Sequence, residues 1–302
     1  MPRLKTEAAK ESLLRRMRKQ RLKYVTVLPS LITILNGVCG FAAIILAGRS
    51  AFAMAGYMIL LAMIADMLDG RLARMSKSTS SFGGQLDSLC DIISFGVAPA
   101  FLMIEVLQQY KLAGFVHLNV TFASFLQRFI WLAAAAYISC AAIRLARFNV
   151  ENEEDESAHM SFVGLPTPAA AGVVVSLIIF HQEIILPELS ASNSPVYLGF
   201  CESVIIYVLP FLVLWVAVLM VSRIRYPHIL NQYIKGKKPF AHLIRVLLFL
   251  LFVIWSRQAA LVLIFCGFAV GSFVKWFYYR VIRKREPILP ALGRVSEFKS
   301  EK

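Results

Sequence analysis

The chain has 302 residues, of which 58% are hydrophobic and only 17% are charged. A soluble domain needs more polar residues to cover its surface, so this composition indicates an integral membrane protein. The formal net charge of +14 could suit nucleic acid, but the basic residues lie at the ends of apolar segments. We therefore expect no nucleic-acid partner and expect the basic residues to face membrane lipid headgroups.

The N-terminal segment, residues 1–25, is strongly basic. Its stretch KESLLRRMRKQRLK places apolar residues at roughly helical spacing among arginines and lysines. This pattern predicts an interfacial amphipathic helix. The alternative is an ordinary basic flank of the first membrane span, without regular structure.

Eight segments satisfy the requirement of about 20 mostly apolar residues for a membrane-crossing helix. They lie near 26–48, 52–70, 88–108, 122–147, 165–186, 197–222, 241–256 and 258–279. The sequence therefore predicts an all-α, polytopic membrane protein. An even number of crossings would return the C-terminus to the side of the N-terminus.

Lysine and arginine are concentrated in the connections on one side of the predicted helices. They follow spans two, four, six and eight, as Arg71, Arg74, Lys77, Arg144, Arg147, Arg223, Arg225, Lys235, Lys237, Lys238, Arg280, Arg283, Lys284 and Arg285. Short basic connections stay in the cytoplasm. We therefore expect both termini on the cytoplasmic side of the cell membrane.

Four aspartates surround the connection between spans two and three, in the stretch DMLDGRLARMSKSTSSFGGQLDSLCD. Asp66 and Asp69 are three residues apart, and Asp87 and Asp91 are four apart, so each pair shares one helix face. Gly83, its neighbouring glycine and the preceding Ser/Thr run are expected to let the chain reverse. The two pairs would then face each other on the cytoplasmic side.

Converging carboxylates in a partly desolvated site repel one another unless some are protonated or cations neutralise them. An all-oxygen ligand set suits Mg²⁺ or Mn²⁺ rather than zinc. Two such ions can stabilise the attacking and leaving oxygens in phosphoryl transfer, and a positioned carboxylate can take the proton of an alcohol. A solvated helix flank is the alternative, but it needs no fixed pairing of acids.

This stretch resembles the CDP-alcohol phosphotransferase signature at every fixed position, reading Asp66-x2-Asp69-Gly70-x2-Ala73-Arg74-x8-Gly83-x3-Asp87-x3-Asp91. The resemblance implies a six-helix core with a cytoplasm-facing site that holds two divalent cations. It implies direct attack of an alcohol on the β-phosphate of a CDP-linked lipid, with release of CMP. It also suggests a homodimer.

The same resemblance implies a role for each signature residue. The metal ligands would be Asp66, Asp69, Asp87 and Asp91, with Asp91 also acting as general base. The residues expected to bind the cytidine and pyrophosphate are Asp69, Gly70, Ala73, Arg74 and Gly83. The small residues would let the nucleotide approach the helix backbone, and Arg74 would lie by the phosphates or organise the carboxylates.

Further stretches resemble the phosphatidylserine synthase branch of that family. They are IISFGVAPA after Asp91, RLARFN at the end of span four, FVGLPTP, MVSRIRY, and LPSLIT followed by Asn36. This implies CDP-diacylglycerol and L-serine as substrates. The alternative within the family is another alcohol, namely inositol phosphate, glycerol 3-phosphate or choline.

A serine site needs a cation for the substrate carboxylate. Arg144 and Arg147 share a helix face at the end of span four and are our candidates for that carboxylate or for a lipid phosphate, with Ser94 and Asn149 as polar neighbours. Alternatively, the two arginines are anchors that extend to the membrane surface.

The resemblance covers residues 26–226, which we assign to the catalytic membrane domain. Residues 227–286 would add a transmembrane hairpin and 287–302 a cytoplasmic tail. A transporter is the alternative from another class, and it would place polar residues near midmembrane in several spans. Glu105, Glu202 and the histidines His159, His181, His228 and His242 look isolated instead.

Overall fold

The structure is a computed structural model that describes residues 30–76, 81–114, 120–154, 161–190, 196–227, 253 and 255–278. The principal helices are α1 (Ser30–Gly48), α2 (Phe52–Ser76), α3 (Ser81–Asp91), α4 (Ala98–Gly114), α5 (Val120–Glu154), α6 (Thr167–Phe180), α7 (Leu186–Leu189), α8 (Val196–Val221) and α9 (Arg257–Phe277). A first π-helical turn (Ile92–Val97) joins α3 to α4, and a second (His181–Ile185) joins α6 to α7.

Seven helical segments in the described part of the chain are long and apolar enough to cross a membrane. They are α1, α2, α3 with α4, α5, α6 with α7, α8, and α9. The prediction of an all-α, multi-pass membrane protein is therefore confirmed. The remaining predicted span, near 241–256, lies almost wholly outside the described residues, as do residues 1–25 and 287–302.

The third span begins earlier than the sequence suggested. We expected it to start near residue 88, with Gly83 in the preceding turn, but α3 already begins at Ser81. Gly83 therefore lies in the first turn of a helix. The first turn of α3 can contain polar residues because helical hydrogen bonds satisfy its backbone N–H and C=O groups. Hydropathy alone does not detect a helix that begins with polar residues.

Small residues let the helices approach one another closely. A Cβ at Gly56 of α2 would lie 2.7 Å from Cγ1 of Ile179 in α6, and a Cβ at Gly40 of α1 would lie 2.6 Å from the Cα of Ser94 in the first π-turn. Close packing of this kind drives helix association where surrounding lipid is as apolar as the side chains.

A short ribbon joins the start of α6 to the end of α8. Strand β1 (Ser161–Val163) pairs antiparallel with β2 (Arg225–Pro227). After β1, Gly164 adopts φ +84° and donates its N–H to the carbonyl of Ile224 at 2.8 Å. A Cβ there would lie 2.3 Å from the carbonyl oxygen of Met220, so glycine is required on both grounds.

The helix directions define two ends of the bundle. The acidic end has the start of α1, the end of α2, α3, the end of α5 and the start of α6. The opposite end has the end of α4, the second π-turn and the starts of α8 and α9.

Polar side chains also meet at the opposite end, where the sequence had suggested isolated residues. His181 is buried, and its Nε2 lies 4.0 Å from Oε1 of Glu202. Glu183 accepts hydrogen bonds from Tyr57 at 2.8 Å and from Gln258 of α9. Nε2 of His181 nevertheless has no hydrogen-bond partner among the described residues. The proximity of His181 to Glu202 comes from helix packing and not from sequence spacing.

The last helix packs along α6. The ring of Phe265 fills the space beside Gly172, where a Cβ would lie 2.2 Å from the ring. Together with the Gln258 contact to Glu183, this places α9 against the helices that precede it.

Candidate active site

Three of the four predicted aspartates converge at the acidic end. Asp66 and Asp69 lie near the end of α2 and Asp87 lies in α3. One carboxylate oxygen from each residue lies within 4.8 Å of the others. Helix periodicity places Asp66 and Asp69 on one face, and the reversal of the chain brings Asp87 opposite them.

Asp91 lies one helical turn beyond Asp87 and is almost fully buried, with 7% of its surface exposed. Its Oδ1 accepts a hydrogen bond of 2.9 Å from Nδ2 of Asn36 in α1. It also interacts electrostatically with Asp66 and Asp87. Asp91 therefore belongs to the acidic site but is oriented by α1.

Two carboxylate oxygens in this site have no hydrogen-bond donor among the described residues. They are Oδ2 of Asp69 and Oδ1 of Asp87, and both atoms are buried. A buried carboxylate oxygen without a partner is unfavourable unless a cation or a ligand donor satisfies it. The residues present therefore fit a divalent cation that prefers oxygen ligands, such as Mg²⁺ or Mn²⁺.

The rest of the Asp69 carboxylate is held by the protein itself. The hydroxyl of Thr33 and the backbone N–H of Gly70 both donate hydrogen bonds to it. The sequence did not assign Thr33 to the site. Both Thr33 and Asn36 are polar residues in an otherwise apolar span, three residues apart, and this spacing was the available signal.

Arg144 lies at the acidic end of α5 with only 8% of its surface exposed. It interacts electrostatically with Asp66, and its guanidinium carbon lies 6.0 Å from the ring centre of Phe148. An anchor that extends to the membrane surface would be exposed. Arg144 is thus buried at the acidic end of α5, and Arg147, three residues further on, is half-buried.

The other two predicted polar neighbours are engaged within the protein. Asn149 donates its side-chain amide to Oγ of Ser88 at 2.8 Å. Ser94 is fully buried and donates its hydroxyl to the backbone carbonyl of Asn36 at 2.8 Å. Both contacts join helices around the acidic site.

The predicted nucleotide-binding residues lie on α2 and α3. At Gly70, no neighbouring atom of the described residues lies within 4 Å of an added Cβ, so there is room beside this backbone. Gly83 lies in the first turn of α3. Ala73 and Arg74 lie in the last part of α2, and their side chains are outside the described part of the structure.

Comparison with known proteins points to one family. A family model described as CDP-alcohol phosphatidyltransferase matches residues 26–222, a range that includes all four aspartates, Asn36 and Arg144.

Individual relatives are similar over most of the chain. The CDP-diacylglycerol–serine O-phosphatidyltransferase of Helicobacter pylori strain J99 is 30% identical over 253 residues, which cover 84% of this chain and 92% of the relative. The protein of the same name from Methanocaldococcus jannaschii is 29% identical over 70% of this chain and 79% of its own length. An archaetidylserine synthase from Methanothermobacter thermautotrophicus is 30% identical over 70% of this chain and 75% of its own length.

Proposed function

The chain belongs to the CDP-alcohol phosphatidyltransferase family, and from this premise we propose that it transfers the phosphatidyl group of CDP-diacylglycerol to L-serine. The products are phosphatidylserine and CMP. The observation that carries the proposal is the convergence of Asp66, Asp69 and Asp87 within 4.8 Å, in a chain whose relatives are named for transfer to serine or for making a serine lipid.

The carboxylates of Asp66, Asp69, Asp87 and Asp91 would hold two divalent cations, Mg²⁺ or Mn²⁺. When bound, these cations withdraw charge from the diphosphate and make CMP a better leaving group. The unpartnered oxygens of Asp69 and Asp87 support this assignment.

Asp91 is the proposed general base. As the serine hydroxyl oxygen bonds to the β-phosphorus, its proton passes to the Asp91 carboxylate. The bond between that phosphorus and the bridging oxygen of the diphosphate breaks, and CMP departs with the electron pair.

Gly70, Ala73, Arg74 and Gly83, with Asp69, are proposed to bind the cytidine and diphosphate of the donor. The open space beside Gly70 supports a close approach of the ligand to α2.

Arg144 is proposed to bind the substrate carboxylate or a lipid phosphate, with Arg147 as a second cation. The burial of Arg144 and its interaction with Asp66 support this role, because a desolvated guanidinium attracts an anion more strongly than an exposed one. Ser94 and Asn149 shape the site through their contacts with Asn36 and Ser88.

The site is proposed to face the cytoplasm, because the described basic residues Arg71, Arg144 and Arg147 belong to the helix ends at the acidic end, and such residues are concentrated on the cytoplasmic side. A homodimer is proposed from the family. Cysteine accessibility to a membrane-impermeant reagent tests the orientation, and crosslinking of the purified protein tests the dimer.

The acceptor is tested by supplying purified protein with labelled CDP-diacylglycerol and one alcohol at a time. We expect CMP release and a labelled serine lipid with L-serine, but no product with inositol phosphate, glycerol 3-phosphate or choline. Turnover with glycerol 3-phosphate and not with serine would overturn the choice of acceptor. CMP release in detergent, without any gradient, would dismiss a transporter.

A further inference from the structure

The first membrane helix carries no acidic residue, yet one of its side chains donates a hydrogen bond to Asp91. Nδ2 of Asn36 donates to Oδ1 of Asp91 at 2.9 Å. Asn36 is fully buried and Asp91 is 7% exposed. An amide inside an apolar span is unfavourable without a partner. An ionised carboxylate accepts hydrogen bonds and donates none, so the amide must present its NH₂ group to Asp91.

The packing of α1 against α3 and the first π-turn leaves little freedom at this contact. A Cβ at Gly40 would lie 2.4 Å from Oγ of Ser94, and a Cβ at Gly37 would lie 3.0 Å from Sγ of Cys90. Ser94 also donates its hydroxyl to the backbone carbonyl of Asn36 at 2.8 Å. The backbone that carries Asn36 is thus held directly against the turns on either side of Asp91.

We propose that Asn36 is a positioning residue for Asp91. It holds Oδ1 and thereby turns the second oxygen, Oδ2, toward the hydroxyl of the acceptor alcohol. This inference rests on the proposed function, in which Asp91 takes the proton of that hydroxyl. Correct orientation of a base contributes to the chemical step and not to substrate binding. A displacement of about 1 Å can lower the rate of that step by about 100-fold.

The test compares Asn36→Leu, which is close to asparagine in shape, with Asn36→Ala. Neither side chain can donate a hydrogen bond to the carboxylate. Each variant is made in the wild-type background and in the Asp91→Asn background. Serine-dependent CMP release gives kcat and KM, and thermal unfolding in detergent reports folding. Tyr57→Phe is the control, because it removes one side-chain hydrogen bond, to Glu183, at the opposite end of the bundle.

We expect both Asn36 variants to lower kcat by about 10- to 100-fold in the wild-type background, with KM for CDP-diacylglycerol changed by about twofold or less. In the Asp91→Asn background they should lower the residual kcat no further, because the base they position is gone. Tyr57→Phe should retain wild-type kcat.

An equal loss in both backgrounds would show that Asn36 acts only through the fold and would overturn the proposal, as would an unchanged kcat. If wild-type protein uses an alcohol other than serine, the proposed acceptor is wrong. The same comparison is then made with that alcohol, since the proposal on Asn36 concerns the base and not the identity of the acceptor.

Discussion

The side-chain amide of Asn149 donates to the hydroxyl oxygen of Ser88 at 2.8 Å, which joins α5 to α3 immediately after Asp87. Arg144 lies a little more than one helical turn before Asn149 on α5. This bond therefore fixes the helix of the buried arginine relative to the helix of two site carboxylates. Arg144 also interacts electrostatically with Asp66 of α2.

Arg144→Lys tests whether this arginine serves the site or the membrane surface. Lysine keeps the charge but loses the planar group with several donors, so we expect kcat/KM for serine to fall by about tenfold or more. Arg128→Lys is the matched control, because Arg128 is an exposed arginine of the same helix. If Arg144→Lys behaves like the control, Arg144 is an anchor.

Asp69→Asn should weaken the binding of Mn²⁺, because it replaces a buried, unpartnered carboxylate oxygen with a neutral amide. We expect the dissociation constant for Mn²⁺, measured by electron paramagnetic resonance on purified protein, to rise by about tenfold or more. Glu188→Gln is the control, since Glu188 is an exposed acid at the opposite end.

The same cation dependence should appear in turnover. Excess EDTA should abolish CMP release, and added Mg²⁺ or Mn²⁺ should restore it. Full activity in excess EDTA would contradict the metal assignment, whatever the effect of Asp69→Asn.

Asp91→Asn should nearly abolish turnover while the protein still binds CDP-diacylglycerol. A general base contributes about 100-fold or more to the rate, and it acts mainly in the transition state and not in the bound ground state. Equilibrium binding of labelled CDP-diacylglycerol, measured beside kcat, separates the two effects. Unchanged turnover would remove Asp91 from this role.

The sequence was sufficient to predict the acidic cluster because its information is local. Spacings of three and four residues place carboxylates on one helix face, and a short connection brings Asp87 opposite Asp66 and Asp69. By contrast, the contact of Asn36 with Asp91 joins residues that are 55 positions apart. It depends on how closely α1 approaches the first π-turn.

The misplaced start of the third span and the unpredicted proximity of His181 to Glu202 have a related cause. Hydropathy reports which residues prefer lipid, but it does not report the polar turns of a continuing helix or the pairing of helices. Gly83 was assigned to a turn for the first reason, and the proximity of Glu202 to His181 was not predicted for the second.

Gly40→Ala tests the close approach of α1 that brings Asn36 to Asp91. The added methyl group would lie 2.6 Å from the Cα of Ser94, and because this neighbour is backbone, relief requires the helices to separate. We expect a loss of about 1–3 kcal/mol in stability, seen as a lower unfolding temperature in detergent, together with a lower kcat. Gly48→Ala in the same helix is the control, since in the described part of the chain no neighbouring atom lies within 4 Å of its added Cβ. A Gly40→Ala protein with the stability and kcat of the control would show that α1 can shift without disturbing Asp91.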